Sequence, residues 1–261
     1  DTAHFSSSLI SVDVWPYLLV SIISLIIFIP LEKRASDPIV RLDLFKRRQM
    51  TLAYVLSAGA GLGESGLVFI PALAYAALNT KGVTESSASF LLMPVVLAMG
   101  FGSPLVGKLL DKLGSKVIII SGTLLLAMGM FMLGSFAANM VLFILSGVLI
   151  GVGLSALLGA PIRYIMLNEA SAQDRSVAQG IITLFTSVGQ LLAGALVGGV
   201  AASQGGGISG YSAAYLMTGV VATILVLISL FLKSRKAELD TVKENEAGKK
   251  FGQSRSMAHS N

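Results

Sequence analysis

Seven long apolar stretches alternate with short polar connections along the 261-residue chain. A transmembrane helix needs about 20 consecutive, mostly apolar residues, and most of the stretches reach that length. The pattern therefore predicts an all-α membrane protein. Its seven transmembrane helices are predicted at residues 15–30, 50–78, 86–109, 117–138, 140–163, 176–202 and 211–232.

The same pattern divides the chain into three parts. Residues 1–49 are predicted to be an outer segment, a first transmembrane helix and a basic cytoplasmic loop. Residues 50–233 form a six-helix bundle in this interpretation. Residues 234–261 are charged and polar with one Phe, so we expect a disordered cytoplasmic tail.

The six helices of the bundle group into two triplets by polarity. The last helix of each triplet, at 117–138 and at 211–232, has no charged residue and no Asn or Gln, whereas earlier helices carry Glu64, Arg163 and Gln190. The first triplet starts inside and the second outside, so they have opposite topology. Inverted three-helix repeats are typical of secondary transporters.

The positive charge gives the orientation. Of the 19 Lys and Arg residues, all but Lys81 fall in every second connection or in the tail. Cytoplasmic loops retain Lys and Arg, so the N-terminus of this chain is predicted outside and the C-terminus inside a cell membrane. The net charge of +5 follows from this bias and suits an anionic inner leaflet, so no nucleic-acid partner is expected.

Composition removes several kinds of site. The chain has no cysteine, which excludes disulfides and thiolate metal ligands, and both histidines, His4 and His259, are terminal. We expect no metal, no cofactor and no enzymatic activity. The first residue is Asp1 rather than Met, so we expect a fragment or a processed product.

The connection after the third predicted helix carries the first family resemblance. Residues 107–116, Gly-Lys-Leu-Leu-Asp-Lys-Leu-Gly-Ser-Lys, resemble the signature loop of the major facilitator superfamily, G-x-x-x-D-[RK]-x-G-[RK]-[RK]. The departure is Ser115, and copies in C-terminal halves of the family are often degenerate. The resemblance implies that the acidic residue, Asp111, lies against a helix N-terminus across the interface between the two halves. It also implies a conformational role for all the motif residues, which are Gly107, Asp111, Lys112, Gly114 and Lys116.

The loop before the second predicted helix carries another resemblance. Its pattern E-x-R…P…L-x-L-F-x-x-R is similar to the linker of the fourteen-helix drug:proton antiporter branch, and it consists of Glu32, Arg34, Pro38, Leu42, Leu44, Phe45 and Arg48. This resemblance implies that the chain is the C-terminal half of such a transporter. It implies a missing six-helix N-terminal half, a small-molecule substrate and proton-coupled export by alternating access.

Glu64 is the candidate for proton coupling. It lies near the middle of the second predicted helix, where an ionisable group is costly and commonly functional. A carboxyl in apolar surroundings is expected to favour its protonated form, and one that protonates from one side and releases to the other can couple a gradient to transport. The alternative is a structural hydrogen bond to a neighbouring helix.

Further polar residues share helical faces and are candidates for a cavity wall. Tyr54 and Ser57 lie on the face of Glu64, and a second stripe is predicted at Thr183, Ser187 and Gln190. Polar residues in such helices also serve merely as interhelical hydrogen bonds, so that alternative stays open.

Arg163, at the inner end of the fifth predicted helix, has three interpretations. It is a cytoplasmic gate, a headgroup anchor or an ion-pair partner of Glu169 or Asp174. Two other functions for the whole chain also stay open at this point. One is a seven-helix receptor or sensor, and the other is a non-transporting accessory membrane subunit.

Overall fold

The computed structural model describes residues 15–34 and 42–243, and within these ranges the chain is helical with no strand. Predictions for residues 1–14, 35–41 and 244–261 lie outside the described residues. We number the helices in chain order: α1 Trp15–Arg34, α2 Arg48–Lys81, α3 Glu85–Leu113, α4 Ser115–Phe136, α5 Met140–Glu169, α6 Arg175–Ser203, α7 Gly207–Ser229 and α8 235–243.

Six helices in the described part of the chain, α2 to α7, are long and apolar enough to cross a membrane. They correspond to the second to seventh predicted spans. The first predicted span corresponds to α1, but the predicted end at Pro30 is wrong, because the helix continues to Arg34. A proline within an apolar helix can be accommodated by local adjustment of the backbone. The count of seven spans stays a prediction.

Prolines set the breaks within three of the long helices. A 3₁₀ turn at Leu67–Phe69 precedes Pro71 in α2, and a 3₁₀ segment at Ser89–Leu92 precedes Pro94 in α3. In α5, Gly159 is extended immediately before Ala160 and Pro161. Proline lacks an N–H and crowds the residue before it, which explains a break one to two residues upstream.

The bundle is built from a few long helix pairs. α2 packs along α6, α3 packs along α5, and α4 packs against both α5 and α7. The α2–α6 pair is close because Gly61 lies against the backbone of Thr186 and Gly189 lies against the backbone of Ala58. Small residues let helix backbones approach in this way.

The two helices that pack mainly on one neighbour, α3 and α6, are also the least buried of the six. Their free faces are largely apolar, with exposed side chains such as Phe101 and Leu105 on α3 and Leu184 and Leu191 on α6. An apolar face of this size needs lipid or protein against it.

The last described helix corrects the prediction of a disordered tail for residues 235–243. This segment is helical, and Glu238 is buried against the turn between α3 and α4. The sequence of the segment is polar and carries no long apolar run. Its order therefore comes from contacts with the bundle, which hydropathy alone does not indicate.

Candidate functional site

A polar cavity of about 180 Å³ opens between α2, α5 and α6. It brings together three of the predicted site residues, Ser57 from α2, Arg163 from α5 and Thr183 from α6. Gln179 and Thr186 also line it, although neither is among the site residues predicted from the sequence. Their spacing with Thr183 places all three on one face of α6, which is the signal that could have found them.

The hydroxyl groups in this cavity bond back to their own helices. Ser57 Oγ donates to the carbonyl of Ala53 at 2.8 Å, and Thr183 Oγ1 donates to the carbonyl of Gln179 at 3.1 Å. Thr186 Oγ1 does the same with Ile182 at 2.9 Å. Because each hydroxyl proton is already donated within its own helix, these hydroxyl groups present only acceptor oxygens to the cavity. Arg163 and the side-chain amide of Gln179 are the lining groups that can donate hydrogen bonds into it.

Arg163 is exposed, and in the part of the chain that the structure describes it forms no hydrogen bond or ion pair. The predicted pairing with Glu169 is wrong because Lys233 contacts that carboxylate instead. Asp174 accepts a hydrogen bond from Ser171 Oγ at 2.6 Å. The guanidinium of Arg163 therefore stands at the cavity with its donors available.

Glu64 does not line the cavity. It is half-buried between α2 and α6, where Gln190 Nε2 donates to Glu64 Oε2 at 3.1 Å. Seven residues separate it from Ser57, which is about 10 Å along a helix. The two predicted residues Glu64 and Gln190 thus form one pair outside the cavity, and Ser187 is exposed and belongs to neither the pair nor the cavity.

Tyr54 was predicted to face the cavity, and the structure places it in the core instead. It is 1% exposed and stacks on Phe185, with ring centroids 5.4 Å apart, and it contacts Phe45 in a tilted arrangement with centroids 5.2 Å apart. Phe45 and the buried Leu44 come from the 3₁₀ turn Leu42–Lys46, so this turn packs against Tyr54. Helical spacing places Tyr54 on the same side as Ser57 but does not distinguish an open wall from a packed interface.

The turn between α3 and α4 contains the predicted motif. Gly114 has φ +80°, a conformation that favours glycine, and a Cβ there would also meet Arg235 and Glu238. Asp111 and Lys112 are exposed, and Lys116 Nζ donates to the carbonyl of Leu230 at 2.6 Å. A Cβ added at Gly107 would meet no atom within 4 Å, so Gly107 is not a site of close helix approach among the described residues.

Residues 50–260 of the chain match the sequence model of the Major Facilitator Superfamily. The chain belongs to this superfamily. It is 28% identical over 204 residues to the uncharacterized MFS-type transporter YfiU of Bacillus subtilis, a match covering 76% of this chain and 38% of YfiU.

Two other superfamily relatives carry multidrug names. Multidrug resistance protein Stp of Mycobacterium tuberculosis is 28% identical over 178 residues, covering 68% of this chain and 33% of Stp. Multidrug transporter protein MdtP of Bacillus subtilis is 26% identical over 199 residues, covering 74% of this chain and 36% of MdtP. The chain therefore spans only about a third of the length of these relatives.

Ser115 is the position where the chain departs from the superfamily motif, and it has a partner that the sequence did not reveal. Its backbone N–H donates to Glu238 Oε2 at 3.2 Å, and its hydroxyl contacts the other carboxylate oxygen. The carboxylate thereby sits at the N-terminus of α4, where the helix dipole favours an anion. Arg235 forms a salt bridge with Glu238 at 3.8 Å and donates a hydrogen bond to the backbone carbonyl of Asp111 at 2.7 Å. These contacts hold α8 against the motif turn.

Proposed function

We propose that this chain is the C-terminal half of a secondary transporter that exports small organic molecules across the cell membrane by alternating access. The observation that carries the proposal is the polar cavity lined by Ser57, Arg163 and Thr183 within a bundle of six span-length helices. Superfamily membership favours a transporter over an enzyme, a seven-helix receptor or an accessory subunit. The multidrug names of Stp and MdtP support drug-like substrates.

We propose that a six-helix N-terminal half is the partner. The chain spans about a third of the length of its relatives, and the apolar face of α6 is uncovered within it. In this proposal the second half of the cavity wall comes from that partner, and α1 is a linker helix of a fourteen-helix transporter. In two inverted repeats, the helices α2, α3 and α4 would correspond to α5, α6 and α7 in that order. The α2–α6 pair then corresponds to the α5–α3 pair, and the presence of both pairs supports that arrangement.

Proton coupling is proposed for Glu64. Its carboxyl lies between two helices that a rocking motion would displace, and Gln190 is a neutral partner that can hydrogen-bond either protonation state. A change in protonation would then change the α2–α6 contact beside the cavity. The structural alternative is a fixed interhelical hydrogen bond, and replacing Glu64 by glutamine separates this alternative from proton coupling.

The cavity itself is tested by filling it. In the full-length transporter, Thr183→Trp should place an indole in the cavity. Uptake of ethidium into everted vesicles, which corresponds to export from the cell, should fall about tenfold or more, a loss of about 1.4 kcal/mol in binding. The matched control is Thr223→Trp. Thr223 is also exposed and also bonds back to its own helix, but it lies on α7 away from the cavity. Equal export by the two variants would remove this cavity from the transport route.

The orientation is tested by cysteine labelling, which is direct because the chain has no native cysteine. Cysteines at Thr80 and Gln204 should react with an impermeant maleimide added to intact cells. Those at Ala172 and Lys236 should react only after permeabilisation. All four positions are exposed, whereas Ser115 is fully buried beneath Glu238 and is unsuitable. Labelling in the reverse order would invert the proposed topology.

A further inference from the structure

A second cavity has a different character from the polar one. It is a groove of about 330 Å³ between α3 and α4, with α5 as its floor. Its walls include Phe101 and Leu105 of α3 and Ile118 and Leu125 of α4. Ser121 is its one hydroxyl-bearing residue, and that hydroxyl donates to the carbonyl of Val117 at 2.8 Å. The groove therefore offers an almost wholly apolar surface.

The groove exists because α3 and α4, though consecutive, are both packed onto α5 rather than onto each other. Gly102 of α3 lies against Ser155, and Gly122 of α4 lies against Ala156, so both helices approach α5 closely. The floor between them consists of the small residues Val148, Val152 and Ala156. An unfilled groove would forfeit dispersion contacts along three helices, and in a bilayer an acyl chain is the adjacent group that can supply them.

One end of the groove carries positive charge. Phe101, Leu105, Lys108 and Lys112 follow the spacing of one face of α3, so the two lysines continue the groove wall toward the α3–α4 turn. Both are exposed, and neither forms an ion pair or hydrogen bond with another described residue. Asp111, by the same spacing, lies off this face.

We infer that the α3–α4 groove binds one anionic phospholipid, with an acyl chain between the two helices and the headgroup phosphate at Lys112 and Lys108. The apolar groove selects a lipid chain, and the two exposed lysines at its end complement a negative headgroup. The inference does not depend on the proposed transport activity. It assigns to Lys112 a ligand in addition to the conformational role implied by the family motif.

The test uses the full-length protein and native mass spectrometry with phosphatidylglycerol and phosphatidylcholine of identical acyl chains. Wild type should retain phosphatidylglycerol preferentially. Lys108→Gln and Lys112→Gln should each lower that preference about fivefold, because this is the contribution that one lysine makes to binding at an anionic lipid surface. Lys236→Gln, at an exposed lysine of α8, is the charge control and should leave the preference unchanged.

The groove is tested separately by filling it. Ser121→Leu should reduce retention of both lipids, whereas Ser103→Leu should not. Ser103 is a matched control, because it is exposed, bonds back to Met99 at 2.9 Å and does not line the groove. Unchanged thermal unfolding would show that both variants fold. An unaltered lipid preference in the lysine variants, or unaltered retention of lipid in Ser121→Leu, would overturn the assignment. A disulfide that forms between a cysteine in α1 and a cysteine at Leu125 would also overturn it, because α1 would then occupy the groove.

Discussion

Replacing Glu64 by glutamine is expected to abolish proton-driven export by the full-length transporter while leaving insertion and folding intact. Glutamine preserves the shape of the side chain but cannot take up or release a proton. Uptake of ethidium into everted vesicles, which corresponds to export from the cell, should lose its gradient-dependent component in Glu64→Gln when it is measured with and without an imposed pH gradient. Binding of the dye to the purified protein should persist, because Glu64 does not line the polar cavity.

The hydrogen bond to Gln190 makes this experiment selective. In Glu64→Gln the new amide oxygen can still accept from Gln190 Nε2, so the expected change in unfolding free energy is about 1 kcal/mol or less. Gln190→Ala is the complementary variant, since it removes the partner and keeps the carboxyl. Gradient-driven export by Glu64→Gln at the wild-type rate, together with destabilisation of Gln190→Ala, would assign the pair a purely structural role.

The helices were largely predictable because a membrane span must be both long and apolar. The spans predicted at 50–78 and 117–138 correspond to α2 and α4 with small differences at their ends. The error at Pro30 arose from treating proline as a stop signal, which holds better in water than in an apolar helix. α8 was missed for the opposite reason, since its order depends on the contact between Glu238 and Ser115, which are 123 residues apart.

The candidate site was predictable only in part. Ser57, Thr183 and Arg163 were found because polar groups in a span are costly and draw attention. Tyr54 was misplaced because spacing gives the face of a helix but not its neighbour, and here the neighbours are Phe45 and Phe185. The pairing of Glu64 with Gln190 follows from the register between α2 and α6, which a single sequence does not encode in any local pattern.

That register is fixed by a backbone contact, which leads to the largest expected effect on stability. A Cβ at Gly189 would lie 1.8 Å from the carbonyl oxygen of Ala58, and one at Gly61 would lie 2.0 Å from the carbonyl oxygen of Thr186. Both obstacles are backbone atoms, so no side-chain rotation relieves them. Gly189→Ala must push α2 and α6 apart, and we expect a loss of about 3 kcal/mol, the upper end of the usual cost of overpacking.

Thermal unfolding of the full-length protein, followed by size-exclusion chromatography with fluorescence detection, measures this loss. Gly180→Ala and Gly194→Ala are controls on the same helix, because a Cβ at either position meets nothing within 4 Å. They should be neutral or stabilising by up to about 1 kcal/mol, since alanine is the better helix former. Gly189 also directly precedes Gln190, so separation of the helices should break the bond to Glu64 and reduce coupled export in the fraction that folds. Equal unfolding temperatures for Gly189→Ala and Gly180→Ala would show that α2 and α6 do not cross at Gly189, and the Glu64–Gln190 pair would then lose its structural basis.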